Sequence, residues 1–526
     1  MQNFTTTLFM VLFVANSVFA DKVIVMEDPL KSLETRVELI MHAKKTIDVQ
    51  YFTIEHDYIS VAGLALLREA AKRGVKVRVI VDSMHNLMTR EMMSAFLDNL
   101  DATAEKNIEI REFNKFNIFK PFCYTRRMHD KSLIIDGQYL IVGDRNVANG
   151  YYDIPDTENG HSLPSFQGTD ALIAGTKSIT EASSYFEQRW NSKDVKPVIF
   201  NNYSASKLDY SYCSYKPLST NDTSCEWQRE QAVKKIKIEL EKLNEQYAFV
   251  TEKNSKVILE QPTLKALATA YETEDIQFIH DDATTRVCNG KNPEKNIAKT
   301  LYETIAENTH EDLIIMTPYL VVTPEMVKLI KKLVEEKDIF VRFITNSIES
   351  NDVPSAAAGY LETRHLLMNI KNAKSGRGVR IYEFTNFSNP KLVDGKGTVL
   401  KQGKAIDTVH AKVVLMDNKK AFIGSYNWDF RSQNLNSEVG VIIGLEGSKT
   451  INPTSEIRNK MAKLLKTSKI VSADGTTNDE NKIKVILTAK EQLEFDTIIA
   501  ARKEGAHLWQ RLLNLPIIGD FLLNQL

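Results

Sequence analysis

The stretch "MHDKSLIIDG" at residues 128–137 returns as "VHAKVVLMDN" at 409–418. His-x-Lys, an apolar run and an Asp thus recur at the same spacing, 281 residues apart (410 − 129). A core strand accounts for an apolar run wherever one occurs. It gives no reason for a histidine and a lysine to travel with it.

The repeat extends to either side. "KTIDVQYFTI" (45–54) precedes the helical pattern "VAGLALLREAAKRG" and the strand-like "VKVRVIVDS". In the later half "EDLIIMTPYL" (311–320) precedes "EMVKLIKKLVEEK" and "IFVRFITNS". Each series reads strand–helix–strand, as in a right-handed parallel βαβ unit. "NIEIREF" (107–113) and "GVRIYEF" (378–384) supply one more strand each. The expected organisation is α/β, with a first half at 21–200, a connector with a charged helical run (Glu226–Tyr247) at 201–260, a second half at 261–450 and a C-terminal helical extension at 451–526. The full length of 526 residues suits about two to four domains or one duplicated pair.

"RMHDKSLIIDGQYLIVGDRN" reads as a hairpin turning at Asp136-Gly137, and "VHAKVVLMDNKKAFIGSYN" as another turning at Asp417-Asn418. Side chains two apart on a strand share a face, so His129 projects with Lys131 and His410 with Lys412. Asp136 and Asp417 have the opposite parity and sit at the turns, which makes them structural. The returning strands end in Gly143-Asp144-Arg145-Asn146 and Gly424-Ser425-Tyr426-Asn427. A hairpin brings each Asn beside its own His and Lys. An ammonium and a carboxamide suit an anionic phosphoryl group, and an imidazole suits attack or proton transfer. In-line displacement at phosphorus needs a nucleophile on one side and an acid on the other. Two half-sites facing across a pseudo-twofold axis supply both, which gives the duplication its purpose.

Bulk properties narrow the partners. Lys+Arg (67) nearly balances Asp+Glu (68), so the chain lacks the whole-surface basic field of non-specific nucleic-acid binders, which weighs against a nuclease. The first residues, "MQNFTTTLFMVLFVANSVFA", carry an apolar stretch at Leu8–Ala15 and a plausible cleavage site after Ala20, so residues 1–20 are expected to be an export signal and the protein to be periplasmic or secreted. Against this, no Lys or Arg precedes the apolar stretch. Cys123, Cys213, Cys225 and Cys288 form no C-x-x-C pair, which argues against structural zinc; Cys213–Cys225 could close a short loop in an exported chain. The tail "HLWQRLLNLPIIGDFLLNQL" is expected to dock on the core rather than enter a membrane.

The pattern H-x-K-x(4)-D-x(6)-G-S-x-N fits the second half throughout, and the first half differs only by Asp144 for Ser. A chance match in a chain this long is on the order of one in 10⁵. The chain resembles the phospholipase D superfamily over nearly all of its length. "RRMHDKS", "GDRNVANGYYD", "GSYNWDFRSQNLNSEVG" and "TNSIESNDVPSAAAGY" look most like the bacterial cardiolipin synthase branch. The resemblance implies two pseudo-twofold-related α/β halves packed face to face, with mixed sheets flanked by helices. It implies that His129 attacks phosphorus to give a phosphohistidine and that His410 protonates the leaving alcohol, the reverse assignment staying open. Lys131, Lys412, Asn146 and Asn427 hold phosphoryl oxygens. A carboxylate orients the imidazole: Glu438 eleven residues past Asn427, and in the first half Asp170, with Asp153 and Asp156 as rivals. Asp144 raises a conflict, since a carboxylate beside a phosphate repels substrate unless Arg145 neutralises it or it points away.

The implied activity is phospholipid cleavage and phosphatidyl transfer, at a membrane surface and without metal or other cofactor. Water as acceptor gives a phospholipase D; a phosphatidylglycerol hydroxyl gives cardiolipin. A secreted lipase releasing only phosphatidic acid, a nuclease and an inactive lipid-binding homologue are the alternatives.

Overall fold

The structure, a computed structural model, describes residues 20–98, 100–119, 121–155, 164–198, 223–283, 295–388, 391–393, 399–402, 405–445, 453–471, 489–515 and 522. Residues 1–19, Asp156, Cys213 and Cys288 lie outside the described residues. Cys123 and Cys225 are each disulfide-bonded.

The first half supplies β1 (Asp21–Met26), β2 (Thr46–Tyr51), β3 (Lys76–Asp82), β4 (Ile108–Phe113), β5 (Lys131–Ile135), β6 (Tyr139–Gly143), β7 (Ser165–Gln167), β8 (Asp170–Ala174) and β9 (Val195–Pro197). The chain then adds β10 (Tyr271–Thr273), β11 (Ile276–His280), β12 (Asp312–Met316), β13 (Phe340–Asn346), β14 (Val379–Phe384), β15 (Asn386–Ser388), β16 (Lys391–Val393), β17 (Val399–Gln402), β18 (Ala405–Val409), β19 (Val413–Met416), β20 (Lys420–Gly424), β21 (Val439–Gly444) and β22 (Ser468–Val471). One sheet runs β10-β1-β8-β6-β5-β2-β3-β4-β9 and the other β11-β21-β20-β19-β12-β13-β14-β22. Apart from β10 the two orders coincide strand for strand. β2, β3 and β4 are parallel, as are β12, β13 and β14, and the remaining ladders of both sheets are antiparallel.

The alternation of apolar side chains places the two sheets face to face. Val23, Ile134, Leu140, Val142 and Ile173 of one sheet share a core with Val413, Leu415, Ile423, Val441 and Ile443 of the other. The opposite parity of the first sheet (Ile47, Val49, Val77, Leu133) is covered by the helices Pro29–His42 and Tyr58–Lys72. The matching face of the second (Leu313, Ile315, Val341, Phe343) lies under Ile297–Asn308 and Pro324–Lys331. Each such side chain taken fully from water contributes about 1.5–3 kcal/mol, so both faces of each sheet are energetically committed.

Three segments sit differently from a plain division at 201, 261 and 451. The helix Thr223–Lys253 belongs with the first half: Ala232, Ile236, Leu243 and Val250 enter its outer core. The chain also stays with that half through β10, which pairs with β1. In the second half, the helix Thr454–Thr467 and β22 repeat the roles of the helix Lys177–Trp190 and β9, closing the sheet edge beside β14. Of the extension, the helix Ala489–Leu513 packs on Pro354–Thr363, with Gly505 against Pro354 and Gln510 donating to Glu362 at 2.7 Å. No described helix is long and apolar enough to cross a membrane.

Candidate active site

Both hairpins form around left-handed residues, with positive φ at Asp136, Gly137, Asp417 and Asn418. The Asp136 carboxylate accepts the backbone N–H groups of Lys44 (2.9 Å), Lys45 (2.6 Å) and Thr46 (3.0 Å), tying the turn to the start of β2. Asp417 does the same for His310 (2.7 Å), Glu311 (2.9 Å) and Asp312 (2.8 Å) before β12. These turns fix the register that carries the polar residues to the opposite ends of the hairpins. There the strands approach so closely that a Cβ on Gly143 would lie 2.5 Å from the Thr169 carbonyl, and one on Gly424 2.4 Å from that of Val439.

The two clusters meet between the sheets, held by backbone bonds that cross from half to half. The His129 N–H donates to the Ser437 carbonyl at 2.9 Å, and the His410 N–H to that of Gln167 at 3.1 Å. β7 of the first half runs parallel to β18, which leads into His410. His129 is therefore stitched to the segment that bears Glu438, and His410 to the corresponding segment of the first half, next to Gly168.

His129 Nδ1 lies 2.9 Å from Glu438 Oε2 and 3.1 Å from the Ser425 carbonyl. The carbonyl can only accept, so Nδ1 carries the proton and Nε2 keeps its lone pair. Ser425 and Ser432 hydroxyls donate to Glu438 at 2.5 and 2.6 Å and fix its carboxylate. His410 Nδ1 lies 3.2 Å from Asp144 Oδ1, while Asp144 Oδ2 accepts the Thr169 N–H at 2.6 Å. Lys131 and Lys412 donate to the carbonyls of His129 and His410 at 2.8 and 2.9 Å. Asn146 donates to the Tyr151 hydroxyl at 2.7 Å; both Asn146 and Asn427 keep a buried amide oxygen without a protein partner. Aromatic rings wall the imidazoles: Phe52 edge-on to His129 at 4.8 Å, and Tyr151 and Phe166 edge-on to His410 at 5.0 and 5.4 Å.

Burial dominates the electrostatics. It holds both histidines well below their usual value, helped by Lys131 and Lys412, each acting on the imidazole of either half. Burial, with Lys412 nearby, lowers Lys131 to about 7; burial lowers Lys412 to about 8. Glu438 is pushed up to about 7 by burial against the pull of Lys131, and burial likewise raises Asp144. The site thus combines neutral imidazoles with cations that deprotonate easily.

Asp170 is corrected. It reaches neither histidine: Arg36 and Arg145 bind it at 3.0 Å each and Ser32 donates to it at 2.7 Å. Although burial opposes ionisation, the two guanidinium groups outweigh it and hold the carboxyl below its usual range. The register explains the misassignment. Gly143 faces Asp170 across β6–β8, as Gly424 faces Gly440 across β20–β21. Two residues back, the counterpart of Glu438 is Gly168. The first half carries its acid instead on Asp144, the counterpart of Ser425, and a Cβ at Gly168 would come within 2.5 Å of Asp144 Oδ1. The conflict between Asp144 and a phosphate is eased because its carboxylate faces His410 and the Thr169 N–H. Arg145 is committed to Asp170. The rival Asp153 accepts from Ser165.

Residues around the site play supporting parts. Tyr51 accepts from Arg36 at 3.3 Å, and Tyr319 donates to Asp352 at 3.1 Å. Arg127 is buried against Asp82 at 2.7 Å. Tyr151, within 3.5 Å of His410 Nε2, carried no sequence signal beyond its place in "GYYD". Among the described residues no trio of His, Cys, Asp or Glu converges as for a metal ion.

The family described as "Cardiolipin synthase, PLD-like domain" matches residues 37–190 and 301–462, one span around each histidine. Cardiolipin synthase C of Escherichia coli (strain K12) is 27% identical over 432 residues, 80% of this chain and 81% of that protein. An uncharacterized protein of Helicobacter pylori (strain ATCC 700392 / 26695) is 25% identical over 433 residues, 80% of this chain and 75% of that one. The crystal structure of phosphatidylserine synthase from Haemophilus influenzae Rd KW20 aligns with 15% identity and a TM-score of 0.49, covering 93% of this chain and 95% of that one. The expectation of export is corrected by the curated match: the relative of Escherichia coli is named a cardiolipin synthase rather than a secreted lipase, and gives a periplasmic or secreted enzyme no support. With both spans matched and the fold duplicated around them, the chain belongs to the cardiolipin synthase branch of the phospholipase D superfamily, a family of phosphatidyltransferases and phosphodiesterases.

Proposed function

We propose that the protein transfers a phosphatidyl group between phosphatidylglycerol molecules through a phosphohistidine. His129 Nε2 attacks phosphorus, forming an N–P bond as the P–O bond to the departing glycerol breaks, and His410 gives that oxygen its proton. A hydroxyl of a second phosphatidylglycerol then attacks, His410 takes its proton, and the N–P bond breaks to release cardiolipin. Lys131, Lys412, Asn146 and Asn427 neutralise and orient the phosphoryl oxygens. The bound phosphodiester offsets the lysine charges that disfavour a protonated imidazole, so substrate binding itself raises His410 toward its acid role.

The observation that carries this reading is the pair of neutral imidazoles in one buried cluster, each with Nδ1 beside a carboxylate of the opposite half. An oriented nucleophile facing an oriented acid is what a two-step displacement requires. The rings of Phe52, Tyr151 and Phe166 beside the imidazoles favour an alcohol acceptor over water.

The test is incubation with labelled phosphatidylglycerol, phosphatidylcholine and single-stranded DNA, with and without added glycerol, reading products by mass. Cardiolipin plus glycerol is expected from phosphatidylglycerol, with His129→Asn and His410→Asn each reduced by about 10³-fold or more. Phosphatidic acid as the sole product refutes transfer in favour of hydrolysis, and cleavage of DNA alone refutes a lipid substrate.

A further inference from the structure

The first sheet and the helices that cover its outer face do not close on one another completely. Between the helices Pro29–His42 and Tyr58–Lys72 and the last turns of Thr223–Lys253 lies a cavity of about 300 Å³. Val37, Ile40, Leu66 and Leu67 of the helices and Val49 and Leu133 of the sheet form its apolar walls. Close-packed interiors leave few voids larger than a water molecule, and one of this size reaches the range of small-molecule sites. Left empty, it forgoes dispersion contacts over its whole inner surface. Gly63 argues that the space is kept open. It stands inside the helix Tyr58–Lys72, where glycine weakens a helix relative to alanine. A Cβ there would meet nothing within 4 Å, so no neighbour excludes a side chain. Gly63 lines the cavity, and the room that a side chain would take is the cavity's own.

Polar groups gather at the opening. Leu30, 42% exposed, and Glu34 mark it from the first helix. The Tyr58 ring stands edge-on to Phe249 at 5.6 Å, and Lys253 lies one turn further along the same face of that helix. The Tyr58 hydroxyl is buried without a partner among the described residues, and burial keeps it protonated as a donor. Lys253 is half-buried and, among the described residues, makes no hydrogen bond or ion pair. Glu34 acts on it electrostatically without pairing. The inner end is shut by Arg36, committed to Asp170, together with Tyr51 and Tyr152. None of the active-site histidines, lysines or asparagines lines the cavity, so its occupant is distinct from the phosphodiester of the proposed reaction. An apolar slot with an uncommitted ammonium and hydroxyl at its mouth suits one alkyl chain carrying a small anionic head.

We propose that this cavity binds a free fatty acid of medium chain length, its tail between the helices and the sheet and its carboxylate on Lys253 and Tyr58. The site goes beyond the catalytic reading and is tested without turnover. Dodecanoate, kept below its micellar concentration, is titrated into the full chain by calorimetry, and the wild type is expected to bind it saturably. Gly63→Phe, which fills the cavity, is expected to bind at least about tenfold more weakly, and Gly63→Ala within about twofold of wild type. Lys253→Ala is expected to weaken dodecanoate at least about fivefold and dodecanol by less than about twofold, because only the former presents a charge to the ammonium. Thermal unfolding reports whether each variant folds; should Gly63→Phe fail to, the Lys253→Ala comparison decides. The proposal is overturned by a wild type without saturable binding, or by folded Gly63→Phe that binds within about twofold of it. A Lys253→Ala effect that does not distinguish dodecanoate from dodecanol overturns it as well. So does displacement of dodecanoate by short-chain phosphatidylglycerol, which moves the fatty acid to the active site. Intact dodecanoate binding with no turnover of any phospholipid refutes the catalytic reading alone.

Discussion

Asp144 and Gly168 trade places with Ser425 and Glu438 in the duplicated frame: one half carries its carboxylate on the returning strand, the other on the segment opposite. Gly168 has no side chain because Asp144 already fills the space between that segment and His410. Asp144→Ser is expected to lower kcat at least about hundredfold by releasing the His410 tautomer. Gly168→Glu alone is expected to be harmful, because its Cβ meets Asp144 and the stem of Arg145. In the Asp144→Ser background the same change is expected to restore activity at least about tenfold once that stem shifts. Equal effects of Gly168→Glu in both backgrounds refute the exchange. The histidines, lysines and asparagines stood out in the sequence because they repeat. Asp144 stood out only as a departure from the repeat, and seeking a matching acid downstream of the Asn pointed to Asp170, because order along the chain does not reveal the strand register.

At the scale of elements, the hairpins and βαβ units were legible because period-two apolar runs and Asp-Gly or Asp-Asn turns determine them locally. The helix Thr223–Lys253 was legible as a helix but not in its placement, since a weakly amphipathic charged helix does not name its neighbour. The Arg36–Asp170–Arg145 cluster shows what elements do for one another: it ties the helix Pro29–His42 to the return from β6 and the start of β8. Asp170→Ala strands two buried guanidinium groups and is expected to cost about 3–5 kcal/mol in urea unfolding. It should leave the pH dependence of kcat/KM unchanged in the folded fraction. A loss of activity with a shifted pH profile and unaltered stability refutes the structural role.

Across the whole molecule, each histidine is tuned from both halves. Lys131 and Lys412, lowered to about 7 and about 8, keep their charge on the acid side of those values and lose it as pH rises. The depressed histidines become protonated only well below their usual 6.5. kcat/KM is therefore expected to fall on the alkaline side from pH 7 to 8 upward, and on the acid side from about pH 7 downward, where Glu438 and Asp144, both raised to about 7, take up protons and release their imidazoles. Lys412→Arg, which keeps the charge, is expected to move the alkaline limb up. A profile flat to about pH 9 in the wild type refutes the assignment of these lysines as the phosphate-holding cations.

The sequence by itself determined the duplicated α/β halves, both hairpins and their turns, and the histidine–lysine–asparagine set, because strand periodicity and turn chemistry are local and the repeat displays the rest. Only the tertiary structure decided which carboxylate serves which histidine, where the long helix and β10 belong, and what Asp170 binds. Those are contacts across the pseudo-twofold interface or between distant strands, and spacing along one chain carries no information about what faces it from another.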